Sequence, residues 1–184
     1  LVGSEMCIRD SYGLDLARTN IGKKNQVVVV EGYTDVMAMH VAGVDTAVAS
    51  CGTAFGPEHA HLVQRLMGNR GALNGEVIFT FDGDAAGRSA ALKAYRDDEE
   101  FTSQTYVAVE PNGLDPCDLR MQEGDAAVRE LVARRVPLYR FVMENTVDRF
   151  DLDRADGRLA AARAAAPLVT SIRDAALVSE FTRE

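Results

Sequence analysis

Four short runs of apolar, largely β-branched residues, separated by stretches of helical period, constrain this chain more than any other feature. The runs are Val27 to Val30, Thr46 to Ala49, Val77 to Phe81 and Thr105 to Val109. The first is bounded by Asn25-Gln26 and Glu31-Gly32. Such a run is the pattern of a strand buried on both faces of a parallel sheet. Between the runs lie apolar patterns of helical spacing at 36–41, 58–67 and 89–94. Strand and helix alternating in this way call for a parallel sheet with right-handed crossovers and helices on both faces. Residues 12–24, with Leu14, Leu16, Ala17 and Ile21 beside Arg18, Lys23 and Lys24, predict a short amphipathic helix ahead of the first strand. From Asp125 onward Ala, Arg, Leu and Asp recur at helical spacing through 125–135, 137–150 and 155–178. The expected fold class is therefore α/β, a parallel sheet flanked by helices, with an all-α subdomain at the C-terminal side.

The chain has 184 residues, 47% of them apolar, enough to bury a core and to exclude disorder as the whole answer. No apolar run approaches the roughly 18 residues of a membrane-spanning helix, so no membrane partner is expected and the reading is intracellular. Cys7, Cys51 and Cys117 are odd in number, far apart and without a CxxC pair, which argues against a disulfide framework and a structural zinc site alike. The formal charge of -8 is uneven. Residues 1–119 carry 9 basic against 17 acidic side chains, and residues 120–184 carry 11 of each. The opening stretch 1–11, LVGSEMCIRDS, has no periodicity and is expected to be non-native.

The acids fall where chemistry is expected. In an open parallel sheet the functional crevice lies outside the carboxyl ends of the strands. The first run leads into Glu31-Gly32-Tyr33-Thr34-Asp35, the third into Asp82-Gly83-Asp84, and the fourth, after Glu110-Pro111-Asn112-Gly113, into Asp115-Pro116-Cys117-Asp118. Asp82 and Asp84 are two apart, a spacing that can send both carboxylates to one side of a strand end. Crowded carboxylates repel unless a cation neutralises them, and oxygen-only donors suit Mg²⁺ or Mn²⁺. Each piece alone also reads as a helix cap. Asp35 is either a support for the ligand set or a first-turn acid favoured by the helix dipole. The run Asp97-Asp98-Glu99-Glu100 reads as a solvated helix end, and His40, His59 and His61 form no metal-ligand pattern.

The segments VVVVEGYTDVMAMHVAG, ASCGTAFGPEHAHLV, VIFTFDGDAAGRSAALKA and LDPCDL resemble the successive motifs of the Toprim domain of bacterial DnaG-type DNA primases. The resemblance runs from about Tyr12 to the end. It implies residues 12–26 as the end of a preceding core subdomain, 27–122 as the Toprim domain, and 123–184 as an incomplete helical subdomain of the RNA polymerase core. It also implies Glu31, Asp82 and Asp84 as catalytic metal-binding acids, with Asp115 completing the cluster and Asp118 a less certain ligand. Cys117 stands where many primases carry an acid, and reads as a small packed residue rather than a soft ligand.

The implied activity is synthesis of short RNA primers on a DNA template, by two-metal nucleotidyl transfer. Single-stranded template DNA, ribonucleoside triphosphates and the RNA primer would be its partners. A zinc-binding module is expected only outside this chain, and the replicative helicase would be met through a region beyond Glu184. The implied location is the bacterial cytoplasm, at the nucleoid replisome. For phosphate contacts the sequence offers Arg88, Lys93 and Arg96 after the paired aspartates, with Lys23 and Lys24; Arg88 is either a nucleotide contact or a plain surface residue. Two other Toprim functions compete. A topoisomerase or nuclease would use the same acids on a phosphodiester, but its second motif reads more like DxDxEG than the DGDAAG found here. A non-catalytic DNA-binding recombination scaffold has no use for Glu31 together with both aspartates, because their crowding is costly without a metal.

Overall fold

The structure, a computed structural model, describes residues 12–49, 57–67, 75–81 and 104–170. These divide into two compact units, Leu1–Pro137 and Leu138–Glu184. In the first unit, strands β1 (Gln26–Val30), β2 (Ala47–Ala49), β3 (Glu76–Phe81) and β4 (Gln104–Val109) pair in parallel in the order β2-β1-β3-β4. All four fall on the runs read from the sequence, within a residue of the expected bounds. Register sets Val29 beside Phe79 and Phe79 beside Val107, so the inner strands end at nearly one level. Every valine of β1 is buried, as a strand covered on both faces requires.

Helices α1 (Leu14–Lys24), α2 (Tyr33–Val41) and α3 (Pro57–Met67) match the expected helical stretches. The helix expected over 89–94 lies outside the described residues. Two elements go beyond the sequence pattern. The sheet is mixed rather than wholly parallel, because Val136–Pro137 forms a two-residue strand β5, antiparallel to β4. Helix α4 (Pro116–Glu123) occupies the last motif, started by Asp115 as N-cap and Pro116 in its first turn. Helix α5 (Asp125–Ala133) gives Val128, Leu131 and Val132 to a core that also holds Val28, Val30, Val36, Met39, Ile78 and Leu119. It therefore belongs to the body of the sheet unit.

In the second unit α6 (Leu138–Val147) and α7 (Ala155–Thr170) pack on each other, with Leu138, Val142, Met143 and Ala161 buried. The helical pattern beyond residue 170 lies outside the described residues. No helix among the described residues is long and apolar enough to cross a membrane.

One turn fixes how α1 meets the sheet. Tyr12 bridges Ala49 with both backbone hydrogen bonds at 3.0 Å, and Gly13 then turns into α1 at φ 84°. A Cβ on Gly13 would lie 2.6 Å from Val36 Cγ1, so both backbone and neighbour demand glycine. Gly13→Ala is expected to lower unfolding free energy by roughly 2 kcal/mol. An unchanged urea midpoint would show that the turn relaxes freely.

Candidate active site

The carboxyl ends of β1 and β4 open into a cleft of about 260 Å³, lined by Glu31, Gly32, Asp35, Thr80, Glu110, Leu114, Asp115, Pro116 and Leu131. Four of these are acids. Glu31 follows the last residue of β1 and is exposed. Asp35, only 5% exposed, sits one turn into α2, and its Oδ2 accepts the Gly32 N–H at 2.9 Å. That bond ties the start of α2 to the strand end and shapes the turn behind Glu31. It favours the helix-terminus reading of Asp35 while keeping the residue in the cleft wall. Thr80 Oγ1 donates to Val29 O at 3.2 Å, joining β3 to β1 at this level.

Asp115 also does structural duty here. Its Oδ1 accepts the Asp118 N–H at 2.6 Å and caps α4 from the cleft wall. Asp118 is exposed on the first turn of α4 and does not line the cleft. Cys117 is a free thiol whose pKa is raised by burial and, after that, by the carboxylates of Asp115, Asp35 and Asp118. Asp82, Asp84, Arg88, Lys93 and Arg96, and the acidic run 97–100, lie outside the described residues. Lys24, considered for phosphate, pairs with Asp45 at 2.5 Å on the surface. His40 is half-buried with Nε2 3.0 Å from Ala47 O and does not line the cleft. The side chains of His59 and His61 are not among those described.

Glu110 is the cleft acid that the motif reading did not single out. It is 5% exposed, and its carboxylate accepts the Asn112 N–H at 2.7 Å, the Leu114 N–H at 2.8 Å and Asn112 Nδ2 at 3.0 Å. The sequence signal was an acid placed directly after a strand and followed by Pro-Asn-Gly, a turn whose free N–H groups need an acceptor.

The donor chemistry fits a hard divalent cation: four carboxylates line one cleft, oxygen donors of the kind such an ion takes. Among the described residues no three His, Cys, Asp or Glu side chains converge closely enough to hold an ion.

A Toprim domain profile matches residues 25–109, from the residue before β1 to the end of β4, and a profile for the DnaB-helicase binding domain of primase matches residues 139–184. The second match corrects the expectation that helicase-binding sequence lies wholly beyond Glu184. The DNA primase of Mycobacterium tuberculosis is 55% identical over 173 residues, which are 94% of this chain and 27% of that protein. The crystal structure of the RNA polymerase domain of Mycobacterium tuberculosis primase DnaG superposes with a TM-score of 0.86 at 51% identity, covering 96% of this chain and 55% of that one. The same domain in complex with double-stranded DNA gives 0.84 at 54% identity, again with 96% and 55% covered. The chain thus spans about a quarter of the length of the primases it matches. The chain belongs to the bacterial DnaG-type DNA primases, as a segment that carries the Toprim domain and the helices after it.

Proposed function

We propose that this segment supplies the metal-holding face of a nucleotidyl-transfer centre that makes short RNA primers on a DNA template. The observation that carries the reading is the acid-lined cleft at the carboxyl ends of β1 and β4, in a chain of primase kinship. Glu31 would be one ligand, and Asp82 and Asp84, which follow directly on Phe81 at the end of β3, would be the others. Asp115 borders the cleft with one oxygen engaged in capping α4, so its share in metal binding would fall to the other oxygen. Two Mg²⁺ or Mn²⁺ ions bound there would supply activation of the primer 3′-hydroxyl and neutralisation of the leaving pyrophosphate. The chain's own residues have simpler tasks. Glu31 presents a carboxylate to the open cleft, Asp35 holds the turn behind it, and Thr80 keeps β3 and β1 level at the cleft floor. Arg88 and Lys93 would take nucleotide phosphates.

DNA as a partner is supported by the relative crystallised with duplex DNA. A helicase contact through residues 139–184, which include α6 and α7, is supported by the profile match there. Functionally we take residues 27–122 as the metal-holding part. Of the 123–184 stretch expected as a helical subdomain, α5 sits in the sheet unit and buttresses the cleft through Leu131, which leaves 138–184 as the helical subdomain. The topoisomerase, nuclease and scaffold readings gain no support from the relatives, which are primases.

The test is direct. Mn²⁺ titrated into the purified chain and followed by the spin-resonance signal of the free ion should show saturable binding, and Asp84→Asn should weaken it about tenfold or more. Wild-type protein with no affinity at millimolar Mn²⁺ would remove the reading.

A further inference from the structure

We infer that Glu110 is a positioning residue of the cleft, holding the loop that carries Asp115 in place while leaving direct ion contact to other acids. The inference rests on the metal reading of the cleft. Glu110 directly follows β4, and its two oxygens are both engaged by Asn112 and Leu114 of the loop after it. Oε2 accepts the backbone N–H groups of Asn112 and Leu114, and Oε1 accepts the Asn112 side-chain amide. The Gly113 N–H returns to Glu110 O at 3.1 Å, with Gly113 at φ 75°. The residue that follows Leu114 is Asp115, whose Oδ1 takes the Asp118 N–H. From strand end to helix start the chain is thus linked without a break: Glu110 binds the loop, the loop delivers Asp115, and Asp115 starts α4. Leu114, Asp115 and Pro116 form one side of the cleft.

A carboxylate buried beside three other acids is unfavourable unless donors compensate it, and here the donors all come from its own loop. The position of that loop is what they secure. Displacing a wall residue by about 1 Å can cost a reaction on the order of a hundredfold, so an acid spent on holding the wall is consistent with a site that needs rigid geometry.

Three variants test this beside the wild type: Glu110→Ala, Glu110→Gln, and Glu110→Gln combined with Asn112→Asp. The readouts are Mn²⁺ affinity, the urea midpoint in metal-free buffer, and hydrogen exchange at the Leu114 amide. Alanine should weaken Mn²⁺ binding roughly ten- to a hundredfold and unprotect Leu114. In Glu110→Gln a neutral carbonyl accepts the two backbone N–H groups more weakly than the carboxylate does, and affinity should also drop. In the double variant the polarity is reversed. The carboxylate introduced at position 112 accepts from the amide introduced at position 110, whose carbonyl oxygen takes the backbone N–H groups. The double variant should return Mn²⁺ affinity to within about threefold of wild type and restore Leu114 protection. Should the alanine variant fail to fold, the glutamine single and double variants decide, since both preserve side-chain size. A double variant that stays as weak as the single makes Glu110 an ion ligand and overturns the inference. So does an alanine variant with wild-type Mn²⁺ affinity. A wild-type chain that binds no Mn²⁺ overturns the metal reading and the inference together, which separates that failure from an intact site indifferent to Glu110.

Discussion

Glu31→Gln in the complete primase should cut primer synthesis about 10²- to 10³-fold while leaving the metal-free fold as stable as before. The reasoning starts from exposure. Glu31 stands at the mouth of the cleft just past the last buried valine of β1, so replacing its carboxylate with an amide of nearly the same shape disturbs no packing. What changes is one negative charge in a cleft that three other acids also line. A ligand carboxylate contributes several kcal/mol to holding an ion and to the charge it stabilises in the transition state, and each 1.36 kcal/mol or so is a factor of ten in rate. Asp84→Asn should behave alike. The checks are single-turnover extension of a primed template and thermal unfolding in chelator. If Glu31→Gln retained more than about a third of wild-type extension, the acid would be only an exposed strand-end residue.

Ile78→Ala should do the reverse, costing stability and sparing chemistry per folded molecule. Ile78 is fully buried in the middle of β3, paired with Val28 on one side and Tyr106 on the other, within the core that α2, α4 and α5 cover. Truncating a buried isoleucine to alanine costs roughly 2–5 kcal/mol, the larger values where the surroundings cannot collapse into the gap. A strand hydrogen-bonded on both flanks cannot move far, which places the expected loss in the upper half of that range. Urea unfolding should show a lower midpoint at nearly constant slope. A loss below about 1 kcal/mol would mean that β3 is not close-packed. Set side by side, the two variants distinguish a residue kept for its charge from one kept for its volume.

Strands β1 and β2 were legible because every residue of their apolar runs is buried, and β4, with only Val107 and Ala108 buried, was legible from its β-branched and aromatic residues. Val27 to Val30 needs no knowledge of its partners to be read as a strand. Strand β5 was not legible for the opposite reason: Val136–Pro137 is two residues long between helical stretches, and its pairing with Tyr106 and Val107 spans some thirty positions. Helix α4 was announced by Asp115 and Pro116, a cap followed by a first-turn proline, yet the same residues carry a motif of chemical interest. Asp115 caps the helix from the cleft wall. Helix α5 reads as the start of an all-α region by composition, but Val128, Leu131 and Val132 face the sheet core. Amphipathic period shows that a helix has a buried face and says nothing of which body buries it. Of the candidate site, Glu31, Asp35 and Asp115 were legible from strand-end position. Glu110 was passed over although it directly follows β4, because accepting the N–H groups of its own Pro-Asn-Gly turn is a turn signal and not a metal-ligand pattern.

The sheet's two borders carry a consequence for how this protein behaves when concentrated. At the β2 side the edge is only three residues long, and Tyr12 crosses it in antiparallel fashion at Ala49. At the β4 side it is met by β5, which ends in Pro137, a residue with no N–H to offer, and the border is weighted by the Arg135 guanidinium, ion-paired with Glu76 at 2.8 Å and lying over the Tyr106 ring. A bare, flat border strand is the template on which further chains add and fibrils grow, and short crossings, proline and charge are the usual means of denying it. The valine-rich strands that make the fold so readable would be an aggregation hazard if left exposed at an edge. Here they lie in the interior, where no second molecule can stack against them.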